Sequence, residues 1–373
     1  MSSQAAARVP RPGRVARLLS WMAVTLSVLI LLGTVGAVVA VRHYENQLTR
    51  VGLAPSTIVA PAPAPAQNVL LVGSDTRTGV GGGFGVTEGE RSDSVILAHV
   101  PKGDARPTLV SFPRDAYVTI PAYRDAKKRQ RPAHKDKLNA AFSLGGPALL
   151  VATIEGLTKL RVDHYIEVNF AGFERTVDAL GGVTLCARTT RNDPSNGPMG
   201  GSDDFMKAGT HKDVSGAVAL AFVRNRHSFS NGDIARIQNQ QYFLSQLLKK
   251  AISRGTLTSP PRLNAFLTSV VKSLRVDNRL SVSDMQRLAF RLRKADPAHV
   301  SFVTLPFTTV NGRALINGNR ASVVLVDAPA AQRLFARLRG DAPAPAASPR
   351  PGSPPPAPPP AVGRTGDQLS CGA

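Results

Sequence analysis

The stretch VLLVGSDTR, residues 69–77, opens with four consecutive apolar side chains and closes on a glycine, a carboxylate and a guanidinium. An unbroken apolar run bounded by a glycine is the pattern of a strand buried on both faces. A strand buried on both faces needs helices above and below its sheet. Gly73 ends the run and delivers Asp75 and Arg77 to a loop at the strand's end.

Working outward from this run, short apolar segments alternate with helical ones. Ser94–Val100, Thr108–Phe112 and His164–Val168 read as further strands. Asn139–Leu160 and Phe170–Leu180 read as helices, the second stopped by Gly181–Gly182, where glycine tolerates the left-handed cap. Val214–Phe222 and Ile234–Ile252 also read as helices. In the latter Ile237, Leu244, Leu248 and Ile252 share one stripe, and Asn231, Gly232 and Asp233 supply its start signal. Helices at Pro261–Leu274, Ser283–Lys294 and Pro329–Leu338 and a strand at His299–Leu305 complete the pattern. The expected fold class is α/β, a central mixed sheet flanked by helices in α-β-α layers. No internal repeat is visible.

The N-terminal region sets the expected topology. Leu18 to Val41 carries no charged side chain. At about 1.5 Å per residue such a helix crosses a hydrocarbon core of roughly 30 Å with some tilt. Arg8, Arg11, Arg14 and Arg17 precede it and hold the N-terminus in the cytoplasm, and Trp21 suits the interface. Val38 and Ala40 also fit a signal-peptide cleavage site, but the run is longer than a signal sequence needs, so an anchor is favoured. Either way the following chain lies outside the cytoplasm. The chain divides into a cytoplasmic N-terminus (1–17), a transmembrane anchor (18–41) and a Pro/Ala-rich stalk (42–67) with Pro61, Pro63 and Pro65. A catalytic domain (68–252), a C-terminal α/β extension packed on it (253–340) and a Pro-rich tail (341–373) follow. The tail is expected to be disordered or extended.

Lys plus Arg outnumber Asp plus Glu by 46 to 25, a formal charge of +21. That balance suits a solvated surface or an anionic partner: nucleic acid, membrane or a phosphate-bearing substrate. The topology argues strongly against nucleic acid as the physiological partner. Two cysteines, Cys186 and Cys371, stand far apart outside any CxxC pair, so a zinc site is not expected. Two free thiols, or a weakly structural pair, are expected in preference to any catalytic use.

Four segments carry chemistry. They are VLLVGSDTR, RSDSVILAHV (91–100), SFPRD (111–115) and FVRNRHSFSNGDIARIQNQQ (222–241). Singly, each Asp at a strand end is usually a turn former and each Arg a surface residue. Together they offer Arg91, Arg114, Arg224, Arg226 and Arg236, with Lys137 of KLNAAF, beside Asp75 and Asp93. Arg224 and Arg226 point the same way in an extended segment. Arg236 and Gln240 share a helix face. Clustered guanidinium groups repel unless an anion sits among them, and their forks match phosphate oxygens. Two carboxylates beside them suit Mg²⁺ or Mn²⁺ bridging phosphate oxygens. This is equipment for phosphoryl transfer on a diphosphate. Neither a GxSxG elbow nor a GxxxxGK[ST] loop is present in the sequence. Gly81, Gly82, Gly83 and Gly85 read as a flexible loop, and His227 is a candidate general base, although a lone His is more often structural or exposed.

These segments, with KLNAAF (137–142) and VDHYIEVNFAGFERTVDALGGV (162–183), resemble the LytR-CpsA-Psr family over roughly residues 68–252. RNRHSFSNGDIAR looks like the actinobacterial members, and INGNRASVVLVD (316–327) is similar to their C-terminal extension. The resemblance implies an apolar tunnel that takes a polyprenyl diphosphate lipid. It implies transfer of a glycopolymer, still carrying a phosphate, to a hydroxyl of peptidoglycan, with polyprenyl phosphate leaving. By matching motif, Asp75 and Asp93 hold the metal, and Arg91, Arg114, Lys137, Arg224, Arg226, Arg236 and Gln240 hold the diphosphate. Arg91, Arg114 and Asp93 are the expected catalytic groups. Asp93, Asp115 and a metal-bound hydroxyl all stay open as the general base. The implied partners are the lipid-linked glycan, peptidoglycan and the membrane. The implied location is a single-pass membrane protein with its catalytic domain outside the cell. A pyrophosphatase acting on the same lipid, or a non-enzymatic lipid- or glycan-binding regulator, are the competing readings. Two departures stand out: Asn239 replaces an Arg that is frequent in the family, and the Gly-rich segment before Arg91 is long.

Overall fold

The apolar run at 69–72 lies inside a nine-residue strand at the centre of an eight-stranded mixed sheet in a computed structural model. The structure describes residues 42–53, 66–74, 92–101, 106–187, 206–225, 232–253, 260–294, 300–340 and 364–365. The anchor at 18–41, the stalk prolines, Asp75, Arg77, the Gly-rich loop, Arg91, Arg226 and His227 lie outside them. The chain divides into two units, residues 1–47 and 48–373. Of the first, residues 42–47 are described, and residues 42–45 are helical.

The second unit runs through β1 (Thr49–Val51), β2 (Ala66–Ser74), β3 (Ser92–Pro101), β4 (Thr108–Phe112), β5 (Tyr117–Ile120), β6 (Tyr123–Arg124), β7 (Gln130–Arg131) and β8 (His134–Lys137). Then come α1 (Leu138–Thr158), β9 (His164–Asn169), α2 (Phe170–Ala179), β10 (Val183–Ala187), β11 (Gly209–Val214), α3 (Gly216–Arg224) and α4 (Gly232–Ala251). The remainder is α5 (Pro260–Ser273), β12 (Leu274–Asp277), α6 (Val282–Lys294), β13 (Ser301–Thr304), β14 (Phe307–Ile316), β15 (Asn319–Val326), α7 (Ala328–Arg339) and β16 (Arg364–Thr365).

The sheet order is β1-β12-β9-β2-β3-β4-β13-β16. β2 is parallel to β9 and antiparallel to β3, while β4 is antiparallel to β3 and parallel to β13. Side chains alternate across this sheet. Leu70, Val72, Val95, Leu97 and Val110 pack with Leu138, Phe142, Leu150 and Ile154 of α1 and Phe335 of α7. Leu71, Gly73, Ser94, Ile96, Ile166 and Val168 line a cavity roofed by α2, α3, α4 and α5. The expected α-β-α layering is present, and one of its two interlayer spaces is hollow.

α1 is long and apolar enough to cross a membrane by length and composition. Its buried Leu138, Phe142, Leu150 and Ile154 belong to the core. The single helix expected over 139–160 is broken at Gly145 and Gly146. Gly146 has φ 63° and ψ −157°, open to glycine alone, and Pro147 has no N–H to continue the ladder. α3 begins later than the expected Val214, because Val214 is held in a strand pair with Val183. Gly216 then donates its N–H to the Asp178 carboxylate at 2.7 Å. A Cβ at Gly216 would fall on the backbone of Glu174, so glycine there lets α2 and α3 approach closely.

Residues after 253 join the sheet on both sides of its centre: β12 sits between β1 and β9, and β13 next to β4. The tail expected to be disordered or extended returns at β16, where Arg364 and Thr365 pair with Phe302 and Ser301. Of the two expectations for the cysteines, free thiols or a weakly structural pair, the free thiols do not hold. Cys186 is disulfide-bonded, and Cys371, the other cysteine in the sequence, lies outside the described residues. Cys186 is buried, at 8% exposure.

Candidate functional site

The site is built from β3, the β4–β5 loop, the start of α1, the end of α3 and the first half of α4. The cavity measures about 330 Å³, and its walls are almost wholly apolar, including Ile96, Ile166, Phe173, Val223, Phe243 and Leu244. That volume lies at the lower end of ligand pockets, which run from roughly 300 to 1,000 Å³. Asp93, Arg224 and Gln240 are the charged or long polar side chains in its lining.

Arg114 connects this rim to a second set of charges. Its Nη1 donates to Asp93 Oδ1 at 2.9 Å, and its Nε lies 3.4 Å from Asp115 Oδ2. The other oxygen of Asp115 receives Lys137 Nζ at 2.8 Å. Asp93, Arg114, Asp115 and Lys137 thus form one alternating chain of charges, all partly buried, with side-chain exposures of 17–29%.

Backbone hydrogen bonds hold this chain in place. The first N–H groups of a helix have no intrahelical partner. In α1 they are satisfied by the site loop: Leu138 N–H donates to the Ala116 carbonyl at 2.9 Å, and Asn139 N–H to the Arg114 carbonyl at 3.0 Å. The Asp115 carbonyl accepts from Val324 N–H of β15 at 2.9 Å, and Ala116 bridges to Val324. The C-terminal hairpin therefore braces the loop that carries Arg114 and Asp115.

Also in the lining, α3 ends at Arg224, whose guanidinium lies 4.4 Å from the centroid of the Phe170 ring. Stacking on an aromatic face orients a guanidinium without consuming its hydrogen-bond fork. Gln240 donates to the Val223 carbonyl at 3.3 Å, tying α4 to α3. Arg236 is one turn before Gln240 and is 5% exposed. Asn239 is buried, and its amide donates to the Phe222 carbonyl at 3.4 Å, so this position links two helices.

The structure brings together Asp93, Arg114, Lys137, Arg224 and Gln240 of the expected set, with Arg236 buried on the helix that carries Gln240. Asp75, Arg91 and Arg226 lie outside the described residues. Two contributors were missed in the sequence. Phe170 underlies Arg224, and only its place at a helix start, after the capping Asn169, hinted at exposure to the site. Val324 acts through its backbone, which carries no sequence signal.

Among the described residues no group of three His, Cys, Asp or Glu stands together as a metal cage. Of the expected two-carboxylate pair, Asp93 is described and Asp75 lies outside the described residues. Asp93 is a hard oxygen donor at the cavity rim, and Ser74 pairs with Ser92 across β2 and β3.

A model of the LytR_cpsA_psr family matches residues 43–340. The chain belongs to the LytR_cpsA_psr family. It is 36% identical over 279 residues to the probable cell wall biosynthesis protein LcpB of Corynebacterium glutamicum, covering 72% of this chain and 62% of that one. It is 32% identical over 228 residues to a polyisoprenyl-teichoic acid–peptidoglycan teichoic acid transferase, TagU of Enterococcus faecalis, covering 61% and 66%. The fold matches the LytR-Csp2A-Psr enzyme from Actinomyces oris with a TM-score of 0.60 at 20% identity, over 78% of this chain and 96% of that one. This LytR_cpsA_psr protein spans about three fifths of the length of the corynebacterial relatives it matches.

Proposed function

We propose that this LytR_cpsA_psr protein is a phosphotransferase that moves a phosphate-linked glycopolymer from a polyprenyl diphosphate carrier to a peptidoglycan hydroxyl. The observation that carries the reading is the junction of an apolar cavity, lined by Asp93, Arg224 and Gln240, with the charge chain that runs from Asp93 through Arg114 and Asp115 to Lys137. A polyprenyl diphosphate has the same division: a long apolar chain joined to a compact multiple anion. Burial of the chain is worth about 0.8 kcal/mol per methylene. The guanidinium groups recognise the headgroup by charge and by fork geometry.

In this reaction the acceptor oxygen attacks the phosphorus that bears the glycan. Its bond to the polyprenyl phosphate oxygen breaks, polyprenyl phosphate departs, and the acceptor proton passes to a base. Arg224, oriented by Phe170, and Arg114, held between two carboxylates, stabilise charge on the phosphoryl oxygens. Both Asp115 oxygens face cations, which suits it to positioning Arg114 and Lys137. Mg²⁺ or Mn²⁺, held by Asp75 and Asp93, would add positive charge on the diphosphate oxygens. The relative's name, teichoic acid transferase, supports glycan and peptidoglycan as partners. The uncharged run at 18–41 supports a single-pass anchor with the catalytic domain outside the membrane.

The test supplies purified full-length protein with a polyprenyl diphosphate glycan and peptidoglycan. Glycan phosphate appearing on peptidoglycan, suppressed by chelator and restored by Mg²⁺, is the expected result. Glycan phosphate released into solution, with none on the acceptor, would replace transfer with hydrolysis. Transfer that ignores the chelator would remove the metal from the scheme.

A further inference from the structure

Between the two site residues Asp115 and Lys137 the chain leaves the core and returns as a basic arm. β5 and β8 pair antiparallel, with Tyr117 opposite Lys137 and Thr119 opposite Lys135, and β6 and β7 continue the excursion as a second antiparallel pair. Residues 121–135 hold six Lys and Arg against one acidic side chain, Asp125. Arg124, Lys127, Lys128, Arg129 and Lys135 are exposed.

The acidic side chain is used to build the arm. Asp125 Oδ1 accepts the N–H groups of Lys127 and Arg129, each at 2.9 Å. Its Oδ2 accepts Arg129 Nε at 2.9 Å and Arg131 Nε at 3.0 Å. These bonds hold the Asp125 carboxyl below the usual carboxylate range, led by the Arg129 N–H and opposed by desolvation. Lys128 closes the turn with a left-handed φ of 60°. A charge run on a floppy loop is usually only a solvated face. This one is fixed by its sole carboxylate, which engages Arg129 and Arg131 and leaves Arg124, Lys127 and Lys128 projecting. Lys135 is placed at the base, its Nζ 5.8 Å from the centroid of the Tyr117 ring.

We propose that this arm is a docking subsite for the glycan part of the donor when that glycan is itself a polyanion, one with phosphodiesters along its length. The proposal rests on the transferase reading and specifies its substrate class. The argument is reach. At about 3.3 Å per residue, Lys135 lies within roughly 7 Å of Lys137 along the strand, and the turn cations within at most about 33 Å. A polymer whose first phosphate sits beside Lys137 must leave the site toward solvent, within the length of this arm. A row of fixed cations there raises the local concentration of a polyanion and aligns it.

The test uses full-length protein in nanodiscs of neutral phosphatidylcholine and two donors on the same polyprenyl diphosphate. One carries a poly(glycerol phosphate) chain, the other a single uncharged disaccharide. The variant Arg124→Gln/Lys127→Gln/Lys128→Gln/Lys135→Gln spares the two arginines that bind Asp125. We expect KM for the polyanionic donor to rise about tenfold with kcat unchanged, on the order expected for several screened surface contacts. KM for the disaccharide donor stays the same. The wild-type KM for the polyanion also rises with salt, and the variant's rises less. Equal KM values for both donors in both proteins would overturn the arm. So would a variant that loses binding to anionic phosphatidylglycerol vesicles while keeping its affinity for lipid-free poly(glycerol phosphate). That free-polymer affinity also separates the two claims: a wild type that transfers neither donor sinks the transferase reading, and unchanged polymer binding in the variant sinks the arm.

Discussion

At the scale of single residues the site is a chain of compensated charges. Arg114 is the joint of that chain, touching Asp93 on one side and Asp115 on the other. Arg114→Ala should lower kcat about 10²- to 10³-fold, the usual cost of losing one preorganised charge-stabilising group. Its thermal midpoint should stay within a few degrees of wild type, because the group is partly exposed and its partners can rehydrate. Unchanged turnover would remove Arg114 from the reaction. A different carboxylate governs acid stability. Asp277 is fully buried and accepts N–H groups of Tyr165 and Arg279, each at 2.9 Å, with His164 Nδ1 at 3.3 Å. Burial pushes its carboxyl up, but the bonds from His164, Tyr165 and Arg279 outweigh this and leave it below the usual value. A depressed folded-state value means the stabilisation is present at neutral pH and disappears as pH falls below about 4. Asp277→Asn should therefore flatten the dependence of thermal midpoint on pH between about 5 and 3 and cost about 1–3 kcal/mol at neutral pH. An unaltered acid transition would contradict the assignment.

At the scale of elements, the segment after residue 300 does two jobs. β15 donates Val324 N–H to the site loop, and α7 seals one face of the sheet. Phe335 of α7 is 1% exposed and lies parallel to Phe112 of β4, with ring centroids 6.2 Å apart. Phe335→Ala should cost about 3–5 kcal/mol, the range for emptying a buried aromatic site. Chemical denaturation with an unchanged slope checks it. A loss under 1 kcal/mol would mean α7 is only loosely packed. Because β4 leads directly into Arg114, residual activity of this variant should fall faster on warming than that of wild type.

At the scale of the molecule, the sheet is closed by segments far apart in the chain. β12 enters between β1 and β9, β13 extends the other side, and β16 from the tail pairs with β13. The Cys186 disulfide adds a covalent tie, and such bonds persist in oxidising compartments outside the cytoplasm. Cys186→Ser should lower stability by about 2–4 kcal/mol under oxidising conditions. A reductant should do the same to the wild type and nothing further to the variant. Equal midpoints for oxidised and reduced wild type would show the bond to be inert.

Several elements were legible in the sequence because their causes are local. The apolar run of β2, the Gly181–Gly182 stop of α2 and the stripe of α4 depend on side-chain periodicity and on glycine's freedom at positive φ, 73° and 83° here. The charged residues of the site were legible as types, since clustered arginines and aspartates have few other uses. Their pairing was not. That Asp115 spans Arg114 and Lys137, that Phe170 underlies Arg224 and that Val324 braces the loop are facts about segments up to two hundred residues apart. The sequence by itself determined the layers and the family, because propensity and motif act over a few residues. Only the tertiary structure decided which face of the sheet is hollow, which carboxylate holds which cation and where the basic arm stands. Those follow from packing and loop closure across the whole chain, and no short window of residues contains them.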